Sequence, residues 1–351
     1  METLQQARAL RADAAGRFHS ATHEEIAAGA TGDVYFVKTM DILRHLGLAS
    51  TPVTAEVFAG RAGVLAGIEE VRYLLSGAPL EVWSLAEGER IAAGEVVLRI
   101  RGPYEAFGPK ETALLGMLAS ASGWATAAAE VREAAGDLPV ICFGARHVHP
   151  AVAPVMERAA MVGGADGASC ILAAALAGIK PIGTIPHALV LLVGDTVDAA
   201  VAYDRAMPPD EPRTILVDTY KDEAEEALRV AAALAGRLGA VRLDTPAERG
   251  GVTPGLVREL RWRLDQAGHK NVRIFVSGGL TPERIRELAA AGADGFGVGS
   301  YISGARPIDM TMDLKEIDGR PVAKRGRLPG LTPAPRLRPW AAQPAEEESR
   351  G

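Results

Sequence analysis

Between Leu138 and Ser303 the chain repeats one pattern: a short apolar run ending in a small or polar residue, then a stretch of helical periodicity. Runs of this kind occupy residues 139–143, 180–184, 214–218, 240–244, 272–276 and 295–299, with a weaker one at 167–170. Apolar runs this short suit strands covered on both faces, which is the condition of a parallel sheet. The segments between them read as helices. Ala224, Ala227, Leu228, Ala231, Leu234, Ala235 and Leu238 share one face, and Gly239 stands where that helix would stop. Thr281, Pro282 and Glu283 supply a cap, a proline at the first helical position and an acidic first turn. Repeated β-α units predict an α/β barrel or a doubly wound sheet over residues 131–304.

The first 130 residues read differently. Alternating stretches at 80–85 and 95–100 flank the turn-rich segment 87–94, and a helical stretch follows at 111–131. After Ser303, residues 310–317 alternate like a strand, and Asp318-Gly319 turns them back into 321–324. This predicts an N-terminal α/β domain over 1–130, joined by 305–327, with 328–351 as a mobile, Pro- and Arg-rich tail. A length of 351 residues suits two domains.

Composition narrows the function classes. A net charge of -6 argues against a general nucleic-acid binder, yet a few arginines can still build a local anion pocket. No apolar run is long enough for a membrane span, and the opening residues are not signal-like, so a cytoplasmic protein is expected. Cys142 and Cys170 lack CxxC spacing and read as reduced thiols; a disulfide between them has no support.

Four motifs carry chemistry. Ser277-Gly278-Gly279 ends one strand, and Gly297-Val298-Gly299-Ser300 ends another about 20 residues later. Small residues let backbone N–H groups approach a phosphate, although each turn taken singly is also an ordinary tight turn. Phe143 and Arg146 follow another strand; the arginine can fork onto a carboxylate or phosphate, or serve as a surface ion-pair residue. His147 and His149 read as loop histidines. Thr184 and His187 lie in Gly-Thr-Ile-Pro-His, where the histidine suits a general base, a metal ligand or a phosphoryl acceptor. Asp218 and the pair Arg242/Asp244 end two further runs. Their carboxylates suit ribose hydroxyls, a hydrated Mg2+ or a helix N-cap.

Taken together, these motifs resemble nicotinate phosphoribosyltransferases, in particular the shorter archaeal-type branch, from about Asp33 to Arg327. The resemblance implies a type II phosphoribosyltransferase fold: an N-terminal α/β sandwich domain and an irregular incomplete α/β barrel. It implies transfer from PRPP to nicotinate in NAD salvage, as a glycosyltransferase and ligase with ATP as co-substrate and Mg2+ as cofactor. His187 would be the phosphorylated histidine, with Asp218 and Asp244 beside it; Asp244 would hold ribose hydroxyls, and Mg2+ would arrive with PRPP near both aspartates. Phe143, Arg146, Asp166, Thr184 and Arg242 would line the substrate site. Ser277, Gly278, Gly279, Gly297, Val298, Gly299 and Ser300 would hold the 5′-phosphate. Tyr35 would stack on the pyridine of a partner subunit, in a homodimer or higher oligomer with shared active sites. No zinc is expected, because the C-terminal region carries no cysteine.

Three alternatives compete. A quinolinate phosphoribosyltransferase, which releases CO2, would need more basic residues for a second carboxylate and would have no use for a phosphorylated histidine. A nicotinamide-using homologue would exploit an acid such as Asp166 near the ring. A non-catalytic barrel that binds PRPP or a nucleotide would not need His187 or Asp244.

Overall fold

The computed structural model describes residues 1–12 and 17–341. The chain forms two units: Met1–Thr126 joined by the segment from Arg306 onward, and Ala127–Ala305. In chain order the strands begin with β1 (Pro52–Ala59), β2 (Gly63–Val64), β3 (Glu81–Ser84), β4 (Arg90–Ile91) and β5 (Val96–Pro103). Then follow β6 (Val140–Cys142), β7 (Gly167–Ala168), β8 (Thr214–Leu216), β9 (Ala240–Leu243), β10 (Arg273–Ser277) and β11 (Gly295–Val298). The last are β12 (Met310–Ile317), β13 (Arg320–Pro321) and β14 (Arg338–Pro339). Among the described residues no helix is long and apolar enough to cross a membrane.

The second unit is α/β, built on a six-stranded parallel sheet in the order β7-β6-β11-β10-β9-β8. Its strands are short and apolar because helices cover them: Val140, Val241, Ile274, Val276 and Phe296 are wholly buried. Each such side chain contributes about 1.5–3 kcal/mol by leaving water. The helix Glu223–Leu234 starts where the Asp222 carboxylate accepts from the Ala224 and Glu225 N–H groups. It buries Ala224, Ala227, Val230, Ala231 and Leu234. It stops at Leu234, short of the expected Gly239, because Ala235 and Gly236 turn left-handed at φ 47 and 88. Leu238 stays buried from the loop.

One expected strand is missing. Residues 180–184 make a single backbone bond to the sheet, Ile182 N–H to Ala168 O at 2.9 Å. Pro181 beside it has no N–H to extend a ladder.

The first unit holds a six-stranded sheet in the order β13-β12-β1-β5-β3-β14 and the small pair β2-β4. All pairings here are antiparallel. Val57, Leu98, Ile100, Phe107, Leu114 and Leu118 are central to its core. Glu56 is buried on β1 and accepts from Arg99 Nη2 at 2.6 Å, which compensates its desolvation. Asp318 and Gly319, both at positive φ, close the β12–β13 hairpin.

The mobile-tail expectation needs correction. Arg338–Pro339 form β14 against β3, and Trp340 Nε1 donates to Ser84 Oγ at 2.8 Å. A proline-rich stretch with one well-anchored tryptophan is ordered by its contacts, not by its composition. Residues 342–351 lie outside the described residues.

Candidate active site

In a parallel sheet every strand delivers its C-terminal end to the same edge, so the loops that follow share one rim. The loops after β6, β8, β9, β10 and β11 carry Phe143 and Arg146, Asp218 and Thr219, Asp244, Gly278 and Gly279, and Gly299 and Ser300. Residues 184–187, although not a strand, reach the same rim.

Arg242 organises it. Its Nε donates to Ser277 Oγ at 2.8 Å, Nη1 to Thr184 Oγ1 at 2.8 Å and Nη2 to Asp244 Oδ2 at 3.0 Å. The guanidinium carbon stands 5.3 Å from the centre of the Phe143 ring. Burial holds the Arg242 pKa below its usual value; Asp244 and Asp218 oppose that shift, and the nearby positive charge of Arg146 adds to it. Ser277 Oγ in turn donates towards Asp244 Oδ1 at 2.9 Å.

Asp218 sits beneath this layer. Its Oδ2 accepts from the Asp244 N–H at 2.6 Å and from Thr245 Oγ1 at 3.4 Å. Its Oδ1 is buried with no hydrogen-bond partner, 3.9 Å from His187 Nε2. Burial raises the Asp218 pKa, and the His187 charge and the Asp244 N–H pull it back. His187 Nδ1 shares a hydrogen bond with Thr219 Oγ1 at 3.0 Å.

Two glycines are dictated by crowding. Gly278 turns at φ 91, and a side chain there would meet Asp244 Oδ1 at 3.0 Å. At Gly297 a Cβ would lie 2.3 Å from the Phe143 ring. Val298 is buried in β11, where its carbonyl accepts from the Phe143 N–H at 2.8 Å. Val298 and Gly297 therefore support Phe143 from within the sheet. Gly279, Gly299 and Ser300 remain at the rim.

Asp166 is not there. It precedes β7, at the opposite edge of the sheet, where Oδ2 accepts from the Val140 N–H at 2.7 Å and from Arg132 Nη1 at 2.8 Å. Asp294 does the same for Ile274 at 2.7 Å, so both aspartates fasten strand starts. An active-site role for Asp166 is withdrawn on this geometry. Tyr35 lies in the first unit, on the helix Val34–His45; the residue is 54% exposed and its ring centre is 4.2 Å from that of Phe36.

Sequence reasoning missed Glu157. It is buried on the helix Ala153–Val162 and hydrogen-bonded to the loops after β6 and β7. Its signal was present: an acid at helical spacing among Ala153, Met156 and Ala160.

Comparison with known proteins agrees with this architecture. The model for the N-terminal domain of quinolinate phosphoribosyl transferase matches residues 33–122, and the model for its C-terminal domain matches 124–313. A crystal structure of nicotinate-nucleotide pyrophosphorylase from Pyrococcus furiosus is 47% identical, with a TM-score of 0.85 over 89% of this chain and 81% of that one. A probable carboxylating nicotinate-nucleotide pyrophosphorylase of Archaeoglobus fulgidus is 27% identical over 80% of this chain and 97% of its own. Nicotinate phosphoribosyltransferase pncB1 of Mycobacterium tuberculosis is 32% identical over 85% of this chain and 75% of its own.

The two family models and the Pyrococcus furiosus structure overturn the expected ATP-dependent nicotinate phosphoribosyltransferase. Both parts of the chain match quinolinate-type models, and that family does not use ATP. ATP as co-substrate, the ligase class, the phosphorylated His187 and nicotinate as the acceptor fall together. The expectation failed because Gly-Thr-Ile-Pro-His and Phe-Gly-Ala-Arg were weighed as substrate markers, whereas the geometry uses them to support Arg242 and Asp218.

Proposed function

The chain belongs to the quinolinate phosphoribosyl transferase family, and from that premise we propose that it joins quinolinate to the ribose phosphate of PRPP. The products are nicotinate mononucleotide, pyrophosphate and CO2. The observation that carries this reading is the Arg242 fan, a partly buried guanidinium held by Thr184, Ser277 and Asp244 beside Arg146. Two arginines and His187 at one rim suit a ligand set of a dicarboxylate, a phosphate and a pyrophosphate.

Displacement of pyrophosphate passes through an oxocarbenium-like state, so the protein's task is to orient the ring nitrogen and stabilise separated charge. Asp244 and Asp218 face the developing cation and the ribose hydroxyls. The backbone at Gly278, Gly279, Gly299 and Ser300 receives the 5′-phosphate. The unpartnered Asp218 Oδ1 with Asp244 fits a hydrated Mg2+, which keeps most of its waters and needs few carboxylates. When bound, that ion would neutralise charge on the leaving pyrophosphate.

The barrel reading belongs to the same proposal. It is supported by the strand order: β6, the first strand of the unit, pairs with β11, the last, and the otherwise sequential order is broken only between β7 and β8.

The test is a direct assay of the full chain with PRPP, Mg2+ and quinolinate, nicotinate or nicotinamide, with and without ATP. We expect nicotinate mononucleotide and labelled CO2 from carboxyl-labelled quinolinate, at a rate that ATP does not change. Product from nicotinate but not quinolinate, or a requirement for ATP, would overturn the proposal.

A further inference from the structure

The helix Ala153–Val162 turns an apolar face inward, yet Glu157 on that face is wholly buried. A carboxylate there is costly unless its lone pairs are filled. Among the described residues no lysine or arginine pairs with it. Its donors are two backbone N–H groups and one hydroxyl. Oε1 accepts from the Ala145 N–H at 3.2 Å and from Ser169 Oγ at 2.8 Å; Oε2 accepts from the Cys170 N–H at 2.7 Å. Ala145 immediately precedes Arg146, and Ser169 and Cys170 follow β7 and lead into the helix Ile171–Leu176.

Met156 tightens the same grip, since a Cβ on Gly144 would lie 2.6 Å from Met156 Cε. One turn of helix thus holds the loop after β6 at two successive residues and ties it to the next loop. A carboxylate can accept at both ends at once. An amide cannot: a glutamine would set its NH2 against either the Cys170 N–H or the Ala145 N–H.

We propose that Glu157 is a positioning residue that fixes Arg146 for its grip on the pyridine acid, by clamping the loops after β6 and β7 together. The clamp stands on its own geometry; what Arg146 grips rests on the phosphoribosyl-transfer reading.

The experiment compares wild type with Glu157→Gln, Ser169→Ala and Ser169→Thr in the full chain. It reads KM for the pyridine acid and for PRPP, together with amide hydrogen exchange at residues 143–147 and 168–171. We expect Glu157→Gln to raise the pyridine-acid KM about tenfold and the PRPP KM by less than about twofold, with faster exchange at both loops. Ser169→Ala moves the same quantities by a smaller factor, and Ser169→Thr restores them because it keeps the hydroxyl. Unchanged exchange in Glu157→Gln, or equal rises in both KM values, would overturn the positioning role. Should Glu157→Gln fail to fold, the Ser169 pair decides: equal behaviour of the alanine and threonine variants rejects the clamp. A wild type inactive on every pyridine acid would sink the functional reading instead, while the exchange comparison would still decide the clamp.

Discussion

Asp218 Oδ1 and His187 Nε2 stand 3.9 Å apart, and that carboxylate oxygen, buried, has no donor of its own. The other oxygen is fully used, by the Asp244 N–H and Thr245 Oγ1. One side of the carboxylate therefore builds the fold, and the other faces the site.

An asparagine at 218 separates the two sides. Its oxygen can keep the bonds to Asp244 and Thr245, and its NH2 replaces the unpartnered oxygen. Burial raises the Asp218 pKa in the folded chain above its unfolded value, so the folded state holds more protons between those two values. Its contribution to stability is therefore greatest at low pH and declines as the pH rises through that window. Asp218→Asn should remove this slope and be as stable as wild type, or more stable by about 1 kcal/mol, at neutral pH. Transfer should fall at least about tenfold. Thermal melts at pH 5 and 8 with matched kinetics check this; a variant less stable at both pH values would contradict it.

Arg242→Lys asks whether a charge alone suffices. A lysine ammonium cannot reproduce the planar fan onto Thr184, Ser277 and Asp244 or the stacking on Phe143. We expect a fall in kcat/KM of about a hundredfold, or about 3 kcal/mol of transition-state stabilisation. Activity within a few-fold of wild type would show that geometry at this position is dispensable.

Gly297→Ala tests the support of Phe143. The new methyl would meet the ring edge at 2.3 Å, so the ring must move, and with it the surface beneath Arg242. Overpacking of this kind costs about 1–3 kcal/mol. Denaturant unfolding should show that loss, and the pyridine-acid KM should rise. Wild-type stability would mean that the ring has free space beside it.

Glu111 gives the first unit a pH dependence of its own. Its pKa is pushed up to about 7, mainly by burial and then by Asp313, while Lys324 pulls it down. Because the folded value exceeds the unfolded one, stability is lost as the pH climbs from the ordinary glutamate range to about 7. Glu111→Gln should flatten that decline and gain less than about 1 kcal/mol at pH 8, since solvent screens a half-exposed group. Unfolding curves at several pH values decide it; parallel curves for the two proteins would reject the assignment.

The parallel sheet was legible because burial on both faces writes itself as uninterrupted apolar runs, as in Val140-Ile141-Cys142 or Gly295-Phe296-Gly297-Val298. Rim residues were legible where they directly follow such a run, as Asp244 and Ser277-Gly278-Gly279 do. Direction along a strand was harder to read. Asp166 was assigned to the site although it stands before its strand, and nothing local distinguishes a carboxylate that starts a strand from one that ends it. The strand expected at 180–184 failed because Pro181 blocks pairing that its apolar neighbours invite. The central strand β1 was not recognised at all: Thr54 and Glu56 are buried polar residues, and their partners Arg99, Arg101 and Glu316 are remote in sequence. The choice of pyridine was the least legible, since one carboxyl group more or less alters few side chains.

The sheet of the first unit recruits β1 and β5 from early in the chain and β12 from beyond residue 305, with the whole second unit encoded in between. On the ribosome this imposes an order. β1 keeps one hydrogen-bonding edge unpaired until Met310–Ile317 arrive. A chain that ends before Met310–Ile317 would leave that edge open, so the late strand is what caps an edge that could otherwise pair with another chain.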